Sequence, residues 1–133
     1  MSGFLDTSAL LRYLTGDLEP QARQAAALIE SDEELLITSV VLAEAAYALN
    51  QFYGVERAKI VDYLVAFLQR ANIETFDMDK SEALQGLMMC RPSGRVSFAD
   101  ALIWAAARSS PQNTVYSFDQ AFPREGLEVR TPP

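Results

Sequence analysis

The chain contains no histidine. That absence removes the commonest general base, the commonest zinc ligand and every Ser–His or Cys–His nucleophile pair. A single cysteine, Cys90, rules out an internal disulfide. Positive charge is also scarce: 11 Lys and Arg stand against 18 Asp and Glu, a net charge of −7, so broad electrostatic binding of a polyanion is not expected. No apolar run reaches the roughly 18 residues a membrane span requires, because Glu44 and Asp62 interrupt the longest candidates. The opening stretch, MSGFLDTSALLRYL, has no basic residue ahead of its apolar part and carries Asp6 inside it, unlike a secretory leader. A cytoplasmic protein without membrane association is expected, and its chemistry must use carboxylates, hydroxyls or amines.

What is present is half apolar in 133 residues, which suits one domain spanning 1–133. Gly3-Phe4-Leu5 is a short apolar run ending at Asp6, after which Ala9, Leu10, Tyr13 and Leu14 recur at helical spacing. Pro20 has the placement of a first-turn residue for a second helix reaching Glu30. Leu35 to Thr38 reads as a buried strand, and Ser39 to Phe52 as a helix apolar nearly all round, with Glu44 its one charge. Val55 to Arg70 is an amphipathic helix and Ile73 to Phe76 a third strand. Asp79 and Glu82 have capping-box spacing at the start of a helix toward Met89, and Ser97 and Asp100 repeat it before a helix ending near Arg108. Arg91 to Arg95 is a loop; Thr114 to Phe118 and Leu127 to Val129 complete a set of five strands. Strands alternating with helices, too far apart for hairpins, predict an α/β fold of three layers, α/β/α, around a mainly parallel sheet of four to five strands.

Four acids break this apolar pattern: Asp6, Glu44, Asp100 and Asp119. A buried charge costs several kcal/mol unless paired, so each needs a reason. Each has a structural one. Asp6 can cap the first helix, Asp100 can answer Ser97 in a capping box, and Asp119 can cap a turn into Gln120-Ala121-Phe122. Glu44 can hold its head in solvent on an aliphatic stem, although it has no Lys or Arg at helical spacing to pair with. The other reason is topological. Residues after the carboxyl ends of parallel strands converge on one edge, where ligands bind, and all four acids can meet there. Four carboxylates would repel one another and raise their own pKa values unless a cation joined them. Hard oxygen ligands select Mg²⁺, with Mn²⁺ able to substitute, and the matching chemistry is phosphodiester hydrolysis by metal-activated water.

Phe4-Leu5-Asp6-Thr7-Ser8-Ala9-Leu10-Leu11, Val41-Leu42-Ala43-Glu44, Phe98-Ala99-Asp100-Ala101-Leu102-Ile103 and Tyr116-Ser117-Phe118-Asp119, in that order, resemble the PIN-domain ribonucleases, in particular the VapC-type toxins of toxin–antitoxin pairs. The resemblance covers essentially the whole chain. It implies a three-layer PIN-like fold and a Mg²⁺-dependent endoribonuclease whose catalytic and metal-holding acids are Asp6, Glu44, Asp100 and Asp119. Asp6 and Asp100 would be direct ligands, Glu44 a ligand or base, and Asp119 a ligand or water-positioner. It further implies an RNA substrate, a homodimer, and a small antitoxin protein that blocks the site.

Thr7, Ser8 and Ser117 are candidates to orient these carboxylates, with local turn and cap hydrogen bonds as the competing reading. Arg12, Arg91 and Arg95 are candidate RNA-phosphate contacts, against ordinary solvation. Asp77, Asp79 and Glu82 form a second acidic group that capping largely explains. Trp104, Phe67 and Tyr47 are assigned to the core, Cys90 to a buried bystander role, and the apolar helices around Glu44 and Ile60 to the core or a partner surface. Two other functions fit the same residues: a catalytically silent PIN-like binding or assembly module, and a phosphohydrolase using Asp6 as nucleophile. The second usually requires another acid two residues on, where this chain has Ser8.

Overall fold

The structure, a computed structural model, describes residues 2–133. In chain order its elements are β1 (Gly3–Phe4), α1 (Thr7–Thr15), α2 (Gln21–Ile29), β2 (Leu35–Ile37), α3 (Ser39–Gln51) and α4 (Arg57–Leu68). They continue with β3 (Ile73–Thr75), α5 (Lys80–Met89), α6 (Phe98–Arg108), β4 (Thr114–Tyr116) and β5 (Glu128–Arg130). The three-layer α/β/α arrangement expected from the alternation is the fold observed. Every strand pair is parallel, in the order β1-β2-β3 and, as a separate ladder, β4-β5. Five strands are therefore present, in two ladders among the described residues rather than one continuous sheet. Helix pairs carry the crossovers from β1 to β2 and from β2 to β3, as parallel neighbours require. The step from β4 to β5 is made instead by residues 117–127, in turns. Trp104 fastens that segment by donating its indole N–H to the Glu125 carbonyl at 2.9 Å.

Local sequence explains where the helices begin and end. Asp6, Thr38 and Ser97 are N-caps whose side chains accept from the N–H three residues on, at Ala9, Val41 and Asp100. Gly16 ends α1 with φ 70°, a conformation that costs glycine little, and its N–H returns to the Arg12 carbonyl. Pro20 stands at the N-cap of α2, just ahead of the first turn where it was expected. The capping box expected at Asp79 is absent. Asp79 makes no side-chain cap, and Glu82 pairs with Arg108 of α6 at 3.1 Å because that guanidinium lies alongside. Asp77 accepts from both the N–H and the hydroxyl of Ser39, so Asp77 and Glu82 of the second acidic group are taken up in separate structural contacts.

The core gathers Leu10, Leu42, Leu49, Ile60, Leu64, Phe67, Trp104 and Cys90, all buried. Tyr47 is not among them: it is 64% exposed. The face of α3 formed by Leu42, Ala45, Ala46 and Leu49 takes the packing, and the line through Val40, Glu44 and Tyr47 is left to solvent. Helix α5 packs on α6, and Gly86 permits the approach, since a Cβ there would lie 2.8 Å from the Ala101 carbonyl oxygen. That contact fixes the first turn of α6, which carries Asp100.

Candidate active site

The ends of β1 and β4, the middle of α3 and the first turn of α6 supply the four acids. Asp6 follows Leu5, whose N–H still bonds to the Leu36 carbonyl of β2 at 2.9 Å. Its Oδ1 accepts from the Ser8 hydroxyl at 2.7 Å and from the Ala9 N–H at 3.2 Å. Those bonds, the Ser8 hydroxyl first, favour the ionised form and hold the carboxyl below its ordinary range. The structural reading of Asp6 as a cap is thus correct, and it also presets the charge and direction of an exposed carboxylate.

Thr7 reaches the other way. Its hydroxyl donates to Glu44 Oε1 at 2.7 Å, tying α1 to the middle of α3. Oε1 is engaged, and Oε2 has no hydrogen bond among the described residues. Glu44 is exposed, which answers how a lone acid is tolerated in an apolar helix: its carboxylate is open to solvent and accepts from the Thr7 hydroxyl.

Asp100 and Asp119 form the second group. The Ser97 hydroxyl accepts from the Asp100 N–H at 3.0 Å and starts α6. Asp119 sits in a turn made by its own neighbours: its N–H donates to the Ser117 hydroxyl at 2.9 Å, and its Oδ1 accepts from the Ala121 N–H at 2.8 Å. Ser117 therefore positions Asp119 through the main chain. The two carboxyls face each other. Partial burial, and then the Asp119 carboxylate opposite, push Asp100 above its ordinary range, with the Ser97 hydroxyl pulling the other way.

No Lys or Arg pairs with any of these four acids among the described residues. The donor set is all carboxylate and hydroxyl oxygen, and it includes two like charges set against each other without a counterion. Such a set fits a hard divalent cation in its chemistry. Among the described residues no three Asp, Glu or Cys side chains are grouped closely enough to hold an ion.

The basic candidates separate cleanly. Arg91 is engaged with Asp62 of α4 through Nε at 2.9 Å and Nη2 at 3.0 Å, which anchors the loop. Arg12 donates to the Gln21 amide oxygen at 3.2 Å. Arg95 has no side-chain partner among the described residues. Sequence reasoning passed over Arg124, which shares a cavity with Arg95; its only signal was its place in a proline-bearing loop five residues past Asp119.

Residues 3–126 match the PIN domain family. The chain belongs to the PIN-domain family, whose members are in general nucleases and typically use divalent metal ions. A search of curated protein sequences finds no match.

Proposed function

We propose that the protein is a Mg²⁺-dependent endoribonuclease and the toxin of a toxin–antitoxin pair, with Asp6, Glu44, Asp100 and Asp119 as its working acids. The observation that carries this reading is the Asp100–Asp119 pair, two carboxyls from separate elements brought together with no Lys or Arg paired to either among the described residues. A bound Mg²⁺, or Mn²⁺ in its place, would neutralise that repulsion and make water a better nucleophile at neutral pH. Asp100 and Asp119 would hold it, with Asp6, already ionised and aimed by Ser8, as the further ligand. Glu44, held by Thr7 through Oε1, has Oε2 to receive the proton of the attacking water. The water oxygen forms the new bond to phosphorus and the P–O3′ bond breaks, which leaves a 5′-phosphate and a 3′-hydroxyl.

The family membership and the resemblance of the four acidic segments support the ribonuclease assignment; the toxin role rests on the resemblance alone. The exposed Val40, Tyr47 and Phe52 on and beside α3 support a protein partner, for which we propose a second copy of the chain or a small antitoxin. No helix among the described residues is long and apolar enough to cross a membrane, in keeping with the cytoplasmic location we propose. The test is cleavage of labelled total RNA in Mg²⁺, Mn²⁺ and EDTA, with Asp100→Asn as control. Metal-dependent fragments bearing 5′-phosphates, lost in the variant, are expected; cleavage at the wild-type rate by Asp100→Asn would overturn the assignment.

A second reading, a catalytically silent PIN-like module, is favoured by one observation: no three of the acids are grouped among the described residues. Calorimetric titration with Mg²⁺ separates the two, because a silent module has no saturable site that Asp100→Asn abolishes.

A further inference from the structure

A chain of net charge −7 that acts on a polyanion needs a place where positive charge is free to meet it. All but two of its 11 Lys and Arg side chains donate to a carboxylate, an amide oxygen or a main-chain carbonyl of the protein itself. The exceptions among the described residues are Lys59 and Arg95. Lys59 lies beside Glu56 and Tyr63, in a cavity lined only by residues 54–63, none of them next to a site acid along the chain. Arg95 lines a polar cleft of about 390 Å³ between the 91–97 loop and the 117–127 segment.

Arg124 lines the same cleft, and Ser93 and Gln120 add polar groups to its walls. Glu125 is the one acid in the lining, so the cleft is net positive in an acidic protein. Arg124 is steadied by an Nη1 bond to the Val129 carbonyl at 3.2 Å, and the rest of its guanidinium is without a partner among the described residues. Both walls adjoin the acid pair along the chain. One runs through Val96 into Ser97 and the first turn of α6, which bears Asp100; the other starts at Gln120, directly after Asp119. The loop is held in place from behind, by Arg91 on Asp62 and by Arg57 on the Cys90 and Val96 carbonyls.

We propose that this cleft is a backbone subsite, in which Arg95 and Arg124 bind an RNA phosphate flanking the scissile one and so feed the strand to the Asp100–Asp119 pair. The proposal rests on the ribonuclease reading above. Guanidinium forks suit a phosphodiester, which offers two free oxygens. The position also explains how an acidic protein can engage RNA: the attraction is local and lies where the strand must enter.

The test is binding of a fluorescein-labelled single-stranded RNA 12-mer, followed by anisotropy in EDTA between 25 and 200 mM salt, for the wild type, Arg95→Gln, Arg124→Gln and Lys59→Gln. Each cleft variant should weaken binding about tenfold and lower the slope of log Kd against log salt by about 0.7, the value of one phosphate contact on a single strand. Lys59→Gln should match the wild type, and inorganic phosphate at the RNA concentration should not displace the probe. Unchanged binding in both cleft variants, an equal loss in Lys59→Gln, or displacement by equimolar phosphate would each overturn the subsite. Cleavage assayed in parallel keeps the two readings apart. Wild-type cleavage with unaltered binding in the arginine variants defeats the subsite alone; arginine-dependent binding without cleavage defeats the nuclease assignment while leaving the anion cleft standing.

Discussion

The hydroxyl of Thr7 donates to Glu44 across 2.7 Å, and the side chain one residue earlier is Asp6. One short segment after β1 therefore sets two of the four acids: Ser8 aims Asp6, and Thr7 aims Glu44. Thr7→Val keeps the shape of the side chain and removes the donor. It should lower kcat for RNA cleavage by about tenfold, within the range seen when a group that orients a ligand or base is lost, with KM unchanged. Thr7→Ser should restore most of the rate, since it returns the hydroxyl. An equal loss in both variants, or a change confined to KM, would show that Thr7 acts by packing and not by positioning Glu44.

Gly86 is where α5 touches α6, and the nearest atom to an added Cβ would be a backbone oxygen, Ala101 O at 2.8 Å. A backbone atom cannot swing aside as a side chain can. Gly86→Ala gains helix propensity, worth about 1 kcal/mol, but forces the helices apart, and overpacking of this kind costs about 1–3 kcal/mol. Net destabilisation is expected in urea unfolding, together with weaker activity, because α6 carries Asp100. A more stable Gly86→Ala would mean that the helices part without cost.

Asp100 makes a third prediction, with a defined sign. Its carboxyl titrates above the ordinary value in the folded chain, through burial and then the Asp119 carboxylate. As pH rises, the unfolded chain loses this proton first, so the stabilisation present at low pH is lost as pH passes the folded value. Asp100→Asn removes the charge that burial and Asp119 disfavour, and at neutral pH in EDTA it should melt about 1–4 °C higher than the wild type. Added Mg²⁺ should raise the wild-type Tm and leave the variant nearly unmoved. A lower Tm for the variant in EDTA would show that Asp100 stabilises the fold more than it strains it.

Most of the architecture was legible because it depends on local pattern. Each helix and strand lies within a few residues of its expected place, and the caps at Asp6, Thr38 and Ser97 mark helix starts by their own chemistry. Topology predicts that all four acids share one sheet edge; Asp100 does approach Asp119, and no three of the acids are grouped among the described residues. What escaped depends on which distant side chain arrives. Arg91 finds Asp62 from 29 residues away, which no spacing rule anticipates. Tyr47 lies in a helix apolar on nearly every side, so periodicity could not say which side the neighbours would cover. Arg124 becomes notable only because the 117–127 segment folds against the 91–97 loop.

Cys90 offers a reporter for the same region. It is wholly buried, with Sγ 3.6 Å from the Gly86 carbonyl and 3.7 Å from that of Ser97. Burial, offset in part by Arg57, lifts its thiol to about 11. At pH 8 only about one molecule in a thousand then carries the reactive thiolate, and the reagent must also reach a closed core. The native protein should resist an aromatic disulfide reagent over a period in which the chain unfolded in guanidinium reacts fully. Because the folded thiol titrates higher than the unfolded one, its contribution to stability is complete below pH 9 and lost as pH rises toward 11. Cys90→Ala should therefore show a shallower fall in unfolding free energy across that window than the wild type. Gly86→Ala, by prising α5 from α6, should let the reagent in without denaturant. Rapid labelling of the native wild type at pH 8 would mean that the contact between these helices opens readily, and with it the turn that presents Asp100.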